Sequence, residues 1–226
     1  MPSRWKDPGM TFELDTRSVG EALVVSLRER ILTEDIPAGR PVTEALVASD
    51  YGVARQTAKA AIEHLVAEGL LKRTAHRSAR VPVLDITQVQ DLYFARRFIE
   101  SQTYRLLARE RGYSDAARLA HNAFHAAIAG DDVVAVVEAD INLHTELVRS
   151  LGSPHLDRAH RLVINEMRLC LAQVQSHNLL DPAVIHEEHS SILSAITEGD
   201  HEGAARLGDQ HLEHAEQRLL DYLRSR

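Results

Sequence analysis

The sequence contains one cysteine, few aromatic residues and no long apolar segment. The lone Cys170 excludes an internal disulfide, which favours a reducing compartment such as the cytoplasm. No apolar run approaches the roughly 18 residues needed to cross a bilayer, and the N-terminus lacks the apolar stretch of a signal peptide. We therefore expect a cytoplasmic protein without a membrane segment. Because aromatic residues make up only 4%, the core must consist mainly of aliphatic and small side chains, which indicates packed helices.

The net charge of −7 is unfavourable for nucleic-acid binding, but the charge is unevenly distributed. Residues 1–85 hold 12 basic and 12 acidic side chains, whereas residues 86–226 hold 14 and 21. The segment 51–80 has two acidic residues and six basic ones, namely Arg55, Lys59, Lys72, Arg73, Arg77 and Arg80. A local basic patch is enough to contact phosphates, so the first part of the chain is the candidate for DNA binding.

The N-terminal part has the pattern of a winged helix-turn-helix. After a flexible arm at 1–17, apolar spacing predicts helices at about 18–33, from Thr43 and at about 54–68, and then a β-hairpin wing with strands at 70–74 and 79–83. The second helix of such a motif enters the major groove with its N-terminal residues.

The third predicted helix begins with polar side chains that suit bases and phosphates. The candidates for DNA contact are Arg55, Gln56, Thr57 and Lys59 on this helix and, on the wing, Arg77 with Lys72, Arg73, His76 and Arg80. Taken singly, each is equally well explained as a solvated surface residue. Their order along helix, turn, basic helix and basic hairpin is what favours DNA binding.

The pattern of apolar residues in the remaining segment, 86–226, predicts only helices. Apolar spacing and turn residues predict them near 87–111, 114–129, 131–151, 154–176, 181–198 and 200–224. Six helices of this length form an antiparallel bundle of roughly 140 residues. The predicted fold is thus mostly α, with a winged helix-turn-helix at 18–85 (three helices plus a β-hairpin) followed by a six-helix bundle at 86–226.

Four polar residues occupy positions where the apolar stripes of the bundle helices call for an aliphatic side chain. They are Asp140, His144, His189 and His211. Asp140 and His144 are four residues apart and share one helix face, and a buried aspartate is costly unless it is paired or metal-bound. Together the four would bind a first-row divalent metal. For any single histidine, a satisfied core position remains the alternative.

Other polar residues of the bundle have weaker signals. Arg96 lies on an apolar stripe, where it either clamps a carboxylate ligand or pairs with Glu100 one turn on. His121 and His125 are four residues apart, but no carboxylate motif accompanies them, so surface positions are expected. His186 and His214 are candidates for a second layer around a metal, and Asn165 and Arg168 are weak candidates for a cavity lining.

Two stretches resemble known families of bacterial proteins. Residues 31–71, with Pro37, Gly39, Glu44, Gly52-Val53, Arg55 and Glu68-Gly69-Leu70, resemble the GntR family of transcription regulators. The chain departs from that pattern at Ala54, Thr57-Ala58, Lys59 and Ser78, so its operator sequence is not predicted. Further on, the chain resembles the FCD effector-binding domain of the FadR-like subfamily at Arg96 to Glu100, Glu138-x-Asp140-x-x-x-His144, Glu188-His189 and His211-Leu212.

The resemblance implies a regulator, commonly a repressor, that binds a double-stranded DNA operator as a homodimer. It also implies that Asp140, His144, His189 and His211 hold zinc, nickel or manganese, and that Arg96 faces a small organic acid effector. The residues themselves leave two alternatives: a metalloenzyme that uses an open position on the metal, and a metal with a purely structural role. Because the sequence places no separate nucleophile or general base, we predict that the protein is not an enzyme.

Overall fold

The computed structural model of the chain describes residues 18–74, 77–130, 132–177 and 179–225. Within these ranges the fold is mostly helical, as predicted. The elements are α1 (Val19–Leu32), β1 (Pro41–Val42), α2 (Glu44–Tyr51), α3 (Arg55–Ala67), β2 (Ala79–Arg80), α4 (Ile86–Glu110), α5 (Asp115–Ala127), α6 (Val133–Arg149), α7 (Pro154–Ser176), α8 (Pro182–Glu198) and α9 (His201–Arg224). The predicted arm at 1–17 and the wing residue His76 lie outside the described residues.

The first three helices confirm the predicted helix-turn-helix. Ser18 and Glu21 form a capping box that starts α1. Gly52 ends α2 in the left-handed conformation, at φ 65°, which provides the sharp turn into α3. Ala54 occupies the N-cap of α3 without a side-chain hydrogen bond, because alanine has no oxygen to accept one. The start of α3 is thus set by the turn and by packing, not by a side-chain cap.

The wing differs from the predicted hairpin in how its strands pair. β2 pairs with β1 in antiparallel register, Pro41 opposite Arg80 and Val42 opposite Ala79. The predicted first strand is reduced to a single bridge, in which Lys72 and Arg80 exchange two backbone hydrogen bonds of 2.8 and 3.0 Å. Pro82 lacks an N–H and cannot extend the ladder. The segment before α2 therefore supplies a strand that local pattern did not indicate.

The six predicted bundle helices are present as α4 to α9, and their ends lie close to the predicted ones. The long helix α4 contacts α6, α7, α8 and α9, so it is the element around which the bundle packs. Of the helices that the structure describes, none is both long and apolar enough to cross a membrane.

One apolar core runs from the N-terminal helices into the bundle. It joins Leu27 and Leu65 to Ile164 of α7 and Leu219 of α9. Beside it, Gly69 lies against the backbone of α7: a Cβ built on Gly69 would be 3.0 Å from the Asn165 carbonyl oxygen. The winged helix-turn-helix head is therefore packed directly onto the helical region.

We expect Gly69→Ala to destabilise this packing. The added methyl group would meet the Asn165 backbone. The alanine would also have to adopt the left-handed φ of 75° that Gly69 has. Adding backbone strain to overpacking should lower the free energy of unfolding by about 2–4 kcal/mol. Urea unfolding followed by circular dichroism measures the loss.

Gly52→Ala is the matched control. Its φ is also positive, at 65°, but nothing lies within 4 Å of the added Cβ, so only the backbone strain of about 1–2 kcal/mol applies. Equal losses in the two variants would contradict the close approach at Gly69.

Candidate metal centre and nucleic-acid interface

The four polar residues predicted from the apolar stripes converge between three helices. Asp140 and His144 come from α6, His189 from α8 and His211 from α9, and all four are buried. Asp140 Oδ1 lies 3.5 Å from His189 Nε2 and 3.7 Å from His144 Nε2. The Nε2 atoms of His189 and His211 are 3.3 Å apart. Three histidines from three helices thus bring ring nitrogens within 4.8 Å of one another, and the Asp140 carboxylate lies beside two of them.

Carboxylates behind two of the histidines fix which ring nitrogen is free. Glu100 Oε2 lies 2.7 Å from His144 Nδ1, and Glu188 Oε2 lies 2.8 Å from His211 Nδ1. A carboxylate accepts hydrogen bonds, so His211 Nδ1 carries the proton and donates it. His144 Nδ1 also lies 2.9 Å from the Tyr104 hydroxyl, and because Tyr104 donates its own proton to Glu100, this Nδ1 must be protonated as well. In the neutral imidazole the lone pair is then on Nε2, the atom that faces the centre. This is the arrangement that orients metal-binding histidines in proteins.

The ionisation of His189 and Asp140 also suits a cation, whereas at His144 burial is outweighed by the neighbouring carboxylates, Glu100 first, which raise the pKa of that imidazole. Burial, and next the neighbouring His211, hold the pKa of His189 well below its usual value. The neutral imidazole that results is the form that binds a metal. Burial alone would raise the pKa of Asp140, but His144, His189 and Arg96 outweigh it and lower that pKa. The centre therefore presents an anionic oxygen beside a neutral ring nitrogen.

The donor set fits a divalent metal. His144 Nε2 is buried, and no hydrogen-bond partner for it exists within the described parts of the chain, a costly state for a polar atom unless something else binds it. Bonds of about 2.1 Å to a tetrahedral ion place neighbouring ligand atoms roughly 3.4 Å apart, close to the separations of 3.3 to 3.7 Å seen here. His144, His189 and His211 are thus the residues that would hold the ion, with Asp140 beside His144 and His189 as the fourth candidate.

A fully buried carboxylate, Glu100, connects this centre to the rest of the bundle. Its Oε1 accepts from Arg96 Nε at 2.6 Å and lies 3.0 Å from His160 Nε2. Its Oε2 accepts from the Tyr104 hydroxyl at 2.9 Å as well as facing His144. Burial alone would raise the pKa of Glu100, but its cationic neighbours, Arg96 first, outweigh burial and hold that pKa well below the usual value.

The structure shows the predicted pairing of Arg96 with Glu100 and leaves part of Arg96 free. Arg96 is only 1% exposed, and its Nη2 lies 4.0 Å from Asp140 Oδ2, too far for a hydrogen bond. Within the described residues this Nη2 has no hydrogen-bond partner. One edge of the guanidinium therefore binds Glu100, and the other points toward the metal ligands.

Sequence reasoning missed His160. It is fully buried on α7 and reaches Glu100 from the side opposite His144. A signal was available, because His160 begins a buried stripe at helical spacing that continues through Ile164 and Met167. The test that singled out His144 would have found His160 had it been applied to α7.

The weaker candidates have ordinary surroundings. Exposed His214 contacts Glu188 at 2.8 Å, so it lies behind His211, as its spacing indicated. Arg168 forms an ion pair with Glu138, and Asn165 lines a cavity of about 430 Å³ between the head and the bundle. Burial raises the pKa of the Cys170 thiol to about 12, which makes it unreactive.

The start of α3 and the wing form one basic surface. Arg55, Arg73 and Arg77 line a common groove of about 480 Å³ beside the first turn of α2. Arg73 lies 3.9 Å from Glu44, whereas Arg55 and Arg77 are exposed and have no acidic partner in the described part of the chain. Gln56 is also exposed, and Thr57 and Lys59 are half-buried on the same helix.

Comparisons with known proteins agree with this architecture. The family model of the FCD domain matches residues 91–214, and that of the bacterial regulatory proteins of the gntR family matches residues 20–81. The chain is 26% identical over 189 residues to an uncharacterized HTH-type transcriptional regulator in an unstable DNA locus of Streptomyces ambofaciens, with 79% of this chain and 75% of that protein covered. It is 28% identical over 178 residues to a probable D-xylose utilization operon transcriptional repressor of Paenarthrobacter nicotinovorans, with 78% of each covered.

Solved structures show the same fold. A putative transcriptional regulator GntR from Rhodococcus sp. RHA1 superposes with a TM-score of 0.70 at 24% identity, covering 91% of this chain and 99% of that one. E. coli McbR/YncC superposes with a TM-score of 0.69 at 15% identity, covering 93% and 100%. A winged helix-turn-helix head followed by a helical FCD domain is the architecture of a DNA-binding transcription regulator. The chain belongs to the FCD domain family and is a DNA-binding transcriptional regulator of the GntR type, not an enzyme.

We expect Glu100→Gln to destabilise the metal-free protein by about 3–5 kcal/mol, because it removes one partner of buried Arg96 and leaves that charge uncompensated. The lowered pKa of Glu100 means that its carboxylate stabilises the fold above the unfolded pKa, near 4.3, and that this stabilisation is lost as the pH falls below it. The difference in the free energy of unfolding between wild type and variant should therefore become smaller in acid.

Urea unfolding of chelator-treated protein at about pH 7 and below pH 4 measures both effects. Glu110→Gln makes the same change at an exposed position of the same helix and should cost almost nothing. A Glu100→Gln variant as stable as wild type at pH 7 would contradict the role of Glu100 in the core.

Proposed function

We propose that the protein is a repressor whose helical region binds a small carboxylate beside a divalent metal, and that this ligand changes how two DNA-binding heads meet their operator. The observation that carries the proposal is the buried quartet Asp140, His144, His189 and His211, with the free edge of Arg96 directed at it. Zinc, nickel and manganese are all compatible with three imidazoles and one carboxylate.

The DNA contacts we propose come from one face of the head. Arg55 and Gln56 project from the first turn of α3, where a recognition helix meets base edges. Thr57 and Lys59 suit the adjoining phosphates, and Arg77 of the wing extends the same surface to the backbone or minor groove. Arg55 and Arg77 line one groove, which supports their acting on a single stretch of duplex.

The effector argument rests on Arg96. A guanidinium that is 1% exposed pays a large desolvation cost, and Glu100 satisfies only one edge of it. Its Nη2 faces Asp140, so a carboxylate bound there would contact the arginine and the metal together. Charge-assisted binding of this kind is strong and selects anionic ligands.

The partner in solution that we propose is a second copy of the chain. Phe94 and Phe98 are one turn apart on α4 and are 64% and 69% exposed. Charged residues of both signs surround them, including Arg97, Arg105 and Glu202. Exposed apolar side chains surrounded by positive and negative residues can pair with the same surface of a second copy. A dimer with a two-fold axis requires such a self-complementary surface. Two heads related by such an axis read a near-palindromic operator.

Coupling between ligand and DNA needs a mechanical link between the bundle and the head. The continuous apolar core and the close contact of Gly69 with α7 supply it. The ligand acts to the extent that it binds better to one arrangement of the heads than to the other.

We expect Arg55→Ala to weaken operator binding about tenfold to a hundredfold, which corresponds to about 1–3 kcal/mol. The operator is first selected from a random duplex pool with the wild-type chain, and affinities are then measured by fluorescence anisotropy at fixed salt. The titration end point should correspond to two chains per duplex.

Arg109→Ala removes the same charge from an exposed position of α4 and should leave the affinity close to wild type. If Arg55→Ala binds as tightly as wild type while its circular dichroism spectrum is unchanged, α3 is not the recognition helix.

We expect protein purified without a nickel resin and dialysed against metal-free buffer to retain about one divalent ion per chain, as one such quartet holds one ion. His144→Ala and the isosteric Asp140→Asn should each lose it, whereas the exposed His155→Ala should not. Elemental analysis by mass spectrometry gives the stoichiometry, and thermal melting shows whether the variants remain folded.

Wild-type protein without bound metal, and with a melting temperature that added zinc does not change, would refute the site. A panel of small organic acids then separates a sensing role from a structural one. In a sensor, a carboxylate raises the melting temperature only when metal is present. If none of them shifts the melting of the metal-loaded protein, the metal is structural.

A further inference from the structure

A second group of histidines lies outside the buried quartet and shares no residue with it. His121 and His125 lie four residues apart on α5, and His186 faces them from α8. The ring centroids of His121 and His186 are 4.6 Å apart, and those of His125 and His186 are 4.5 Å apart. Three imidazoles from two helices are therefore in direct contact at the surface.

Within this cluster His186 keeps one ring nitrogen that no described residue satisfies, whereas His121 already has hydrogen-bond partners in Ser190 and the His186 backbone. His186 Nδ1 is buried without a hydrogen-bond partner among the described residues, although the residue as a whole is half-buried. His121 Nε2 lies 3.3 Å from the hydroxyl oxygen of Ser190. Burial, and then the neighbouring imidazoles, lower the pKa of His121 and of His186. Both rings are thus in the neutral form that can donate a lone pair.

We propose that His121, His125 and His186 form a second, solvent-accessible site for a divalent first-row cation such as zinc, nickel or copper. Imidazole is a preferred ligand for all three ions. Two histidines four residues apart on a helix lie side by side, and the third comes from the facing helix, so rotation of these side chains would bring their ring nitrogens to one ion. The ring of exposed His125 is free to turn its nitrogen toward the other two, since exposed side chains change rotamer within nanoseconds.

The surface site differs from the buried centre in ways that set its affinity. It has three imidazoles and no carboxylate among its ligands, and water completes the coordination of the ion. Fully buried Phe124 packs between the two places, with its ring centroid 5.0 Å from that of His189 and 6.4 Å from that of His186, and the His121 ring lies edge-on to His189 at 6.5 Å. Because it lacks a carboxylate ligand, the surface site should bind more weakly than the buried one.

Zinc titration of the full-length, untagged, chelator-stripped chain in competition with a chromophoric chelator tests the proposal. We expect two classes of site in wild type. His125→Ala and His186→Ala should each weaken the second class about tenfold or more, since loss of a direct ligand costs at least as much as loss of a residue behind one. Both should keep the tight class. His155→Ala, at an exposed position of α7, should keep both classes.

The buried-site variants make the two sites distinguishable. His144→Ala and Asp140→Asn should lose the tight class and keep the weaker one, so a failure of the buried centre would leave the surface site measurable. Copper added to His144→Ala should give nitrogen hyperfine structure in its electron paramagnetic resonance spectrum, and His125→Ala/His144→Ala should lose that signal. A wild-type titration that ends at one ion per chain, or a His125→Ala titration identical to wild type, would overturn the proposal.

Discussion

The buried carboxylate of Glu100 is the group on which the helical region depends. A lone charge in an apolar core is too costly to persist, and here Arg96, His144, His160 and Tyr104 compensate it from three helices. The same contacts that satisfy Glu100 hold the His144 ring with its Nε2 toward Asp140. Core stability and the geometry of the candidate metal centre are thus two results of one network.

The network also bears on the proposed binding of an anionic ligand at this place. Arg96 is anchored by one edge to Glu100, and its other edge stays near the metal ligands. Such an anchored guanidinium loses little further freedom when an anion arrives. α4 carries both Arg96 and Glu100 and packs on four other bundle helices. A small displacement of α4 would therefore shift its contacts with those four helices. The apolar core shared with the head then offers a route to the DNA-binding surface.

Histidine is abundant in this chain because several different environments use it. His144, His189 and His211 are buried and face one another, and His160 contacts the carboxylate network. At the surface, His186 stacks on His121 and lies tilted against His125. These three groups of histidines differ in the atoms that surround each ring. The i, i+4 spacing of His121 and His125 is a local feature, whereas the approach of His186 depends on how α8 packs against α5.

Local and periodic features were enough to predict the helices, the turn at Gly52 and the four polar positions on apolar stripes. The 3.6-residue spacing, a glycine at a turn and polar residues at apolar positions can all be read from the sequence. Contacts between distant segments were not predictable in this way. The pairing of Pro41–Val42 with Ala79–Arg80 joins residues some forty positions apart, and His160 meets Glu100 across sixty. The sequence alone determined which side chains face inward. The tertiary structure decided which of them touch, since helix packing sets those distances and spacing along one helix carries no information about its neighbour.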